Sequence, residues 1–196
     1  IAASGGTLSN LNALIAARNN AGLGTNPNSV LLVSEDAHSS FVKCIRVMGL
    51  DTRNLVRIKT DNQGRMDIND LRNSLDKCSI ENKKIFAIVA TLGTTVRGAI
   101  DPIKEISEIC KQKNIWLHID GSIGGIFAIT SIPIEGLNNI NQANSITINP
   151  QKIIGITKTS SLLLVSNMST LENTFNTGLP YISSKENIIN RGEIGI

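Results

Sequence analysis

Leu8, Leu11, Leu14 and Ile15 recur at three- and four-residue intervals, which predicts an amphipathic helix starting directly after Gly5-Gly6-Thr7. An apolar β-run follows at 30–34. Phe41, Ile45 and Met48 mark a second helix that ends at Gly49. A strand is expected over 55–59, with a turn at Asp61-Asn62-Gln63-Gly64. Ile68, Leu71, Leu75 and Cys78 line one face of a third helix opened by Asp67 as its N-cap. The run Ile85-Phe86-Ala87-Ile88-Val89-Ala90 is apolar on both faces, the pattern of a buried parallel strand. Asp101-Pro102 opens a fourth helix, with Asp101 as cap, Pro102 at the first helical position, and Ile103, Ile106 and Ile109 or Cys110 facing inward. Strands are expected at 115–119, 145–148 and 161–165, with a loop and short turn at 133–141. Strands that alternate with helices give an α/β domain with a largely parallel sheet.

The chain has 196 residues, 41% hydrophobic and 18% charged, a globular composition sized for one domain or slightly more. Its longest apolar runs, such as Leu162-Leu163-Leu164-Val165, fall far short of the roughly 20 residues a bilayer span requires, so no membrane role is expected. No basic segment with an apolar run is visible at the start of the sequence, so no secretory signal is expected. A net charge of +3 with 3% aromatic residues argues against nucleic-acid binding. Cys44, Cys78 and Cys110 are odd in number and widely spaced, which fits reduced thiols and a cytoplasmic protein. A glycine turn at residue 5 with no full strand before it, and an end at Arg191-Gly192-Glu193-Ile194-Gly195-Ile196, suggest a piece of a larger enzyme, incomplete at both ends. A short natural protein is the alternative.

In open α/β sheets, ligands gather at the carboxyl ends of the strands. The polar residues at those ends are His38, Gly93-Thr94-Thr95, Asp120 with Ser122, and Lys152, with Gly5-Gly6-Thr7 at a helix N-terminus on the same edge. Each also fits a bland role. The glycine turn offers free N–H groups to a phosphate, or is only a tight turn. His38 fits a surface or capping histidine, Asp120 a cap for the next segment, and Lys152 a solvated lysine.

Order and spacing add to this. Ser4-Gly5-Gly6-Thr7 with Ser9-Asn10, the stretch 34–40 ending His38-Ser39-Ser40, and Asp61 through Gly64 to Met66-Asp67 come in series. Thr91-Leu92-Gly93-Thr94-Thr95 with Gly98-Ala99-Ile100-Asp101-Pro102, then Trp116-Leu117-His118-Ile119-Asp120, and Asn149-Pro150-Gln151-Lys152 complete it. This series resembles the pyridoxal-phosphate-dependent group II amino-acid decarboxylases, over almost the whole chain. The resemblance implies the large cofactor-binding domain of the aspartate-aminotransferase-like, fold type I enzymes, a mostly parallel sheet flanked by helices. Residues 1–196 would be that domain, without the N-terminal segment and C-terminal small domain of such enzymes.

The resemblance further implies that Lys152 forms a Schiff base with pyridoxal 5'-phosphate. Asp120 would face the pyridine nitrogen, and His38 would stack on the ring. Gly5, Gly6, Thr7 and Ser145 would bind the phosphate. Thr95 and Ser122 would lie near the ring, and Gln151, beside the lysine, would donate a hydrogen bond to the phosphate. Tyr181, 29 residues beyond Lys152 (181 − 152), would sit on a loop and protonate the carbanion carbon after decarboxylation; a structural tyrosine fits as well. The implied reaction turns an L-amino acid into a primary amine and CO2, in a homodimer, with no metal site assigned. Gln151 stands where histidine is usual, Asn144 where aspartate is common, and Ile123 where an aromatic is common. An aminotransferase or lyase of the same fold, and a non-catalytic fragment or degenerate paralogue, are the competing readings.

Overall fold

The computed structural model describes residues 1–157 and 160–176. Seven strands form one sheet: β1 (Ala2–Ala3), β2 (Ser29–Ser34), β3 (Leu55–Ile58), β4 (Lys84–Thr91), β5 (Trp116–Gly121), β6 (Ser145–Ile148) and β7 (Ser161–Val165). Their spatial order is β1-β7-β6-β5-β4-β2-β3. Strands β2 to β6 pair in parallel, and β7 runs against both its neighbours. Strand β1 therefore points the same way as β6, and the chain leaves it at the carboxyl edge of the sheet.

Helices α1 (Gly6–Asn20), α2 (Ser40–Val47) and α6 (Met168–Phe175) cover one face of the sheet, and α3 (Ile68–Ile80) and α4 (Ile103–Lys113) cover the other. A short helix, α5 (Pro150–Ile153), follows β6. Strand residues alternate between two cores. Val30, Leu32, Ile88, Ala90, Leu117 and Ile119 pack towards α3 and α4, while Leu31, Val33, Val89 and Trp116 pack towards α1 and α2. A register shift places Val30 opposite Ile85 but Leu31 opposite Ala87, so Phe86 is an extra residue that turns into the α1 side.

The doubly covered, mostly parallel sheet agrees with the sequence pattern, as does Asp67, whose side chain accepts from the N–H groups of Asn69 and Asp70 at the start of α3. Gly49 (φ 71°) takes the left-handed conformation just past α2, where glycine carries no Cβ penalty.

Two expectations are corrected. Asp101 is not a helix cap: Pro102 holds the cap position of α4. The Asp101 carboxylate, almost fully buried, instead accepts from the N–H of Met66 and of Thr91, both at 2.7 Å, tying the 61–66 turn to the end of β4. Helix α1 is not amphipathic in place. Ser9, Asn10, Asn12, Ala13, Ala16, Ala17 and Arg18 are buried along with Leu11 and Leu14, because α1 lies on the sheet between α2 and α6. Its small residues allow that close approach. Strand β1 and helix α6 are too short or too weakly patterned to stand out in the sequence.

Candidate functional site

Thr91, Asp120 and Thr147 are Cα partners across β4, β5 and β6, one row at the carboxyl edge. In-register neighbours of parallel strands project to the same face. That face is the α1 side, because Asn10 of α1 donates its Nδ2 to Asp120 Oδ2 at 3.1 Å. The other carboxylate oxygen, Oδ1, accepts from the Ser122 N–H at 3.1 Å. Each oxygen of this buried carboxylate thus receives one donor and keeps lone-pair capacity for another. The hydroxyls of Thr91 and Thr147 are buried beside it without hydrogen-bond partners.

Strand β1 delivers the start of α1 to the same edge. A Cβ placed on Gly6 would lie 2.7 Å from Ser122 Oγ and 3.6 Å from Asn149 Nδ2, which shows how closely the helix start, the turn after β5 and the end of β6 come together. Gly5 caps the helix with no side-chain bond, and the first N–H groups of a helix have no helical carbonyl to bind. Asn149 is buried and its Oδ1 has no partner. Lys152 follows on α5, its backbone N–H bonded to the Asn149 carbonyl at 3.0 Å and its side chain exposed. A helix start with free N–H groups, an amide, a hydroxyl, a carboxylate and a lysine therefore share one sheet edge.

The remaining sequence candidates divide. Thr7 sits exposed in the first turn of α1. His38 lies on the same edge after β2, with β4 between β2 and β5; it is exposed, and its Nδ1 accepts from the Ser40 N–H at 3.2 Å, bracing the start of α2. Thr95 is exposed on the loop after β4, while Thr94 is buried and accepts from the Ala99 N–H at 3.0 Å to hold that loop in shape. Gln151 turns its Oε1 to the Ser160 N–H at 3.1 Å, which orders the chain leading into β7. Tyr181 lies outside the described residues.

The structure removes Ser145 from the group expected at the phosphate. It is the first residue of β6, opposite His118 and two residues below Asp120 in register, well beneath the edge. Its buried hydroxyl is occupied by Trp116 Nε1 and His118 Nδ1, both at 2.8 Å.

The sequence reading passed over Asn10, His118 and Asn149 as site residues. Asn149 carried a signal, since it directly follows β6 as Asp120 closes β5. Asn10 and His118 stood in the motif series without a role, because only packing of α1 on β5 brings them together, at 3.0 Å between Asn10 Oδ1 and His118 Nε2. Burial pushes the His118 imidazole down to about 4, against the opposing pull of Asp120, so the ring is neutral at neutral pH.

Comparison with known proteins agrees with this geometry. Residues 1–192 match the pyridoxal-dependent decarboxylase conserved domain. An aromatic-L-amino-acid decarboxylase of Bacillus atrophaeus is 32% identical over 98% of this chain, which covers 41% of that enzyme. The acidic amino acid decarboxylase GADL1 of Mus musculus is 34% identical over 85% of the chain and is itself covered to 32%. Among solved structures, mouse CSAD superposes with a TM-score of 0.85 at 29% identity, over 94% of this chain and 40% of its own. The chain thus spans about two-fifths or less of the length of these relatives.

Proposed function

The chain belongs to the pyridoxal-dependent decarboxylase family, and from that premise we propose that it carries the cofactor site of an enzyme that removes the carboxylate of an L-amino acid as CO2, leaving a primary amine. One observation carries the reading: Gly6, Ser122, Asn149 and the Asp120 carboxylate converge on one sheet edge, with Lys152 three residues beyond Asn149.

The residues present fit pyridoxal phosphate. The start of α1, whose first N–H groups have no helical partner, is suited to a phosphate, with Asn149 Nδ2 beside it and Thr7 adding a hydroxyl. Asp120 keeps an acceptor for a protonated ring nitrogen, and Lys152 supplies an exposed amine for the aldehyde. Ser122 stands between the phosphate cradle and Asp120, and His38, with Nδ1 engaged by Ser40, keeps its other nitrogen and ring faces open. Thr95 borders the same edge. When bound, the cofactor supplies an electron-accepting ring for the pair left behind by CO2. Asp120 would accept from the ring N–H and so keep that nitrogen protonated, and the start of α1 with Asn149 Nδ2 would anchor the phosphate beside Lys152. The exposed residues Ile153, Ile154 and Ile156 beside Lys152 support burial of this edge by the rest of the protein and a second copy in a homodimer.

The test is an absorbance scan of the full-length protein with pyridoxal phosphate, borohydride reduction and peptide mapping, followed by incubation with amino acids. The reading expects the cofactor fixed on Lys152, its loss in Lys152→Ala, and release of CO2. Fixation with keto acid as product would convert the reading to an aminotransferase; no fixation would sink it.

A further inference from the structure

Below Asp120 runs a buried chain of side chains that the proposed chemistry does not otherwise use. Asn10 bonds Asp120 at 3.1 Å, His118 bonds Asn10 at 3.0 Å, Ser145 bonds His118 at 2.8 Å, and Trp116 bonds Ser145 at 2.8 Å. Both ends fix its direction. The indole N–H of Trp116 only donates, and a carboxylate only accepts. Asn10 must therefore present its NH2 to Asp120 and its Oδ1 to His118. His118 must carry its proton on Nε2, which leaves Nδ1 to accept. Ser145 must then donate its hydroxyl to Nδ1 while accepting from Trp116. Every member is buried, and every bond points the same way.

We propose that Asn10, His118 and Ser145 are positioning residues, a one-way chain of donors that orients the Asp120 carboxylate towards the cofactor's ring nitrogen and holds it there as an acceptor. The assignment rests on the role given to Asp120 under the proposed function. Bonds in such a chain polarise one another, so the terminal donor on Asp120 is stronger than an isolated amide. A histidine at position 118 suits the middle place because a neutral ring offers one donor and one acceptor on opposite sides. Glutamine offers the same pair; leucine offers neither.

The first measurement is 15N NMR of the histidine rings in the full-length protein without cofactor, the His118 signals being identified by their loss in His118→Gln. The chain requires the neutral ring with hydrogen on Nε2. Hydrogen on Nδ1, or a charged ring at neutral pH, would overturn the proposal. The second is kinetics of the loaded enzyme. His118→Leu should lower kcat by roughly 10- to 100-fold with KM little changed, the scale of a misplaced catalytic group, and His118→Gln should restore most of it. Equal losses in both variants, or full kcat in His118→Leu, would reduce His118 to packing. Absence of a cofactor adduct at Lys152 would instead overturn the functional reading and leave the directed chain, seen by NMR, as a structural element.

Discussion

Replacing Gly124 by alanine isolates how tightly the turn after β5 is pressed against β4. Gly124 opens a 3-10 turn (Gly124–Ile129) four residues beyond Asp120. Its backbone carries no positive φ, so alanine meets no conformational penalty there. The difficulty is steric: the added Cβ would lie 2.5 Å from the Leu92 carbonyl oxygen and 2.8 Å from Leu92 Cγ, both inside the 3.0 Å that real Cβ contacts essentially never breach. Leu92 cannot easily withdraw. Its side chain is fully buried, its N–H donates to the Asp120 carbonyl at 2.9 Å, and its carbonyl accepts from the Gly124 N–H at 2.9 Å. Overpacking of this kind costs about 1–3 kcal/mol, and loss of the Gly124–Leu92 bond adds about 1 kcal/mol. The expected total of about 2–4 kcal/mol corresponds to a fall in Tm of roughly 4–16 °C for a domain of this size. Gly24→Ala is the matched control, because Gly24 has nothing within 4 Å of its added Cβ and no positive φ. It should be neutral or slightly stabilising. Urea and thermal unfolding of the two variants against the parent decide the matter. A Gly124→Ala variant within about 0.5 kcal/mol of the parent, or an equal loss in Gly24→Ala, would refute the packing argument.

Other expectations follow from the same interior. Arg18, buried in α1, donates to the carbonyls of Leu23 and Met48 at 2.9 Å and of Asn26 at 3.3 Å; Arg18→Met strands these acceptors and should cost about 2–4 kcal/mol by urea unfolding, with Arg18→Lys restoring only part because it lacks the planar fork. Burial pushes the Cys44 and Cys110 thiols up to about 12 and raises Cys78 as well, so a thiol reagent at pH 8 should modify all three only after denaturant is added. His118 falls from 6.5 in the unfolded chain to about 4 in the fold, so on acidification the unfolded chain takes the proton first; its contribution to stability, full above 6.5, should drop by about 2 kcal/mol between pH 7 and 5, and His118→Gln should abolish that drop. Asp101 has the opposite sign. Burial raises it from 3.8 to about 6, the fold takes the proton first, and its contribution should improve by about 1 kcal/mol over the same interval, a gain that Asp101→Asn removes in unfolding curves at the two pH values.

The sequence by itself determined most of the elements, though not β1 or α6, and the edge on which chemistry gathers. Periodicity is a local property, so the apolar run 85–90 declared a doubly covered strand, and Asp67 declared a helix start. Parallel strands alternating with helices place the ends of β2 to β6 on one side, which brought Asp120 and Lys152 to the same edge. Tertiary structure decided what pattern does not encode. Asn10 and Asp120 stand 110 residues apart and meet only because α1 packs on β5. Asp101 looks like a cap in its own segment, yet binds two segments that its neighbours in sequence do not reveal. Ser145 sits in the right motif, but strand register puts it below the edge, with its hydroxyl already shared between Trp116 and His118. Local spacing fixes which way a side chain leaves its own element; where that side chain ends depends on register and on the neighbouring layer, which are set by burial of the whole sheet.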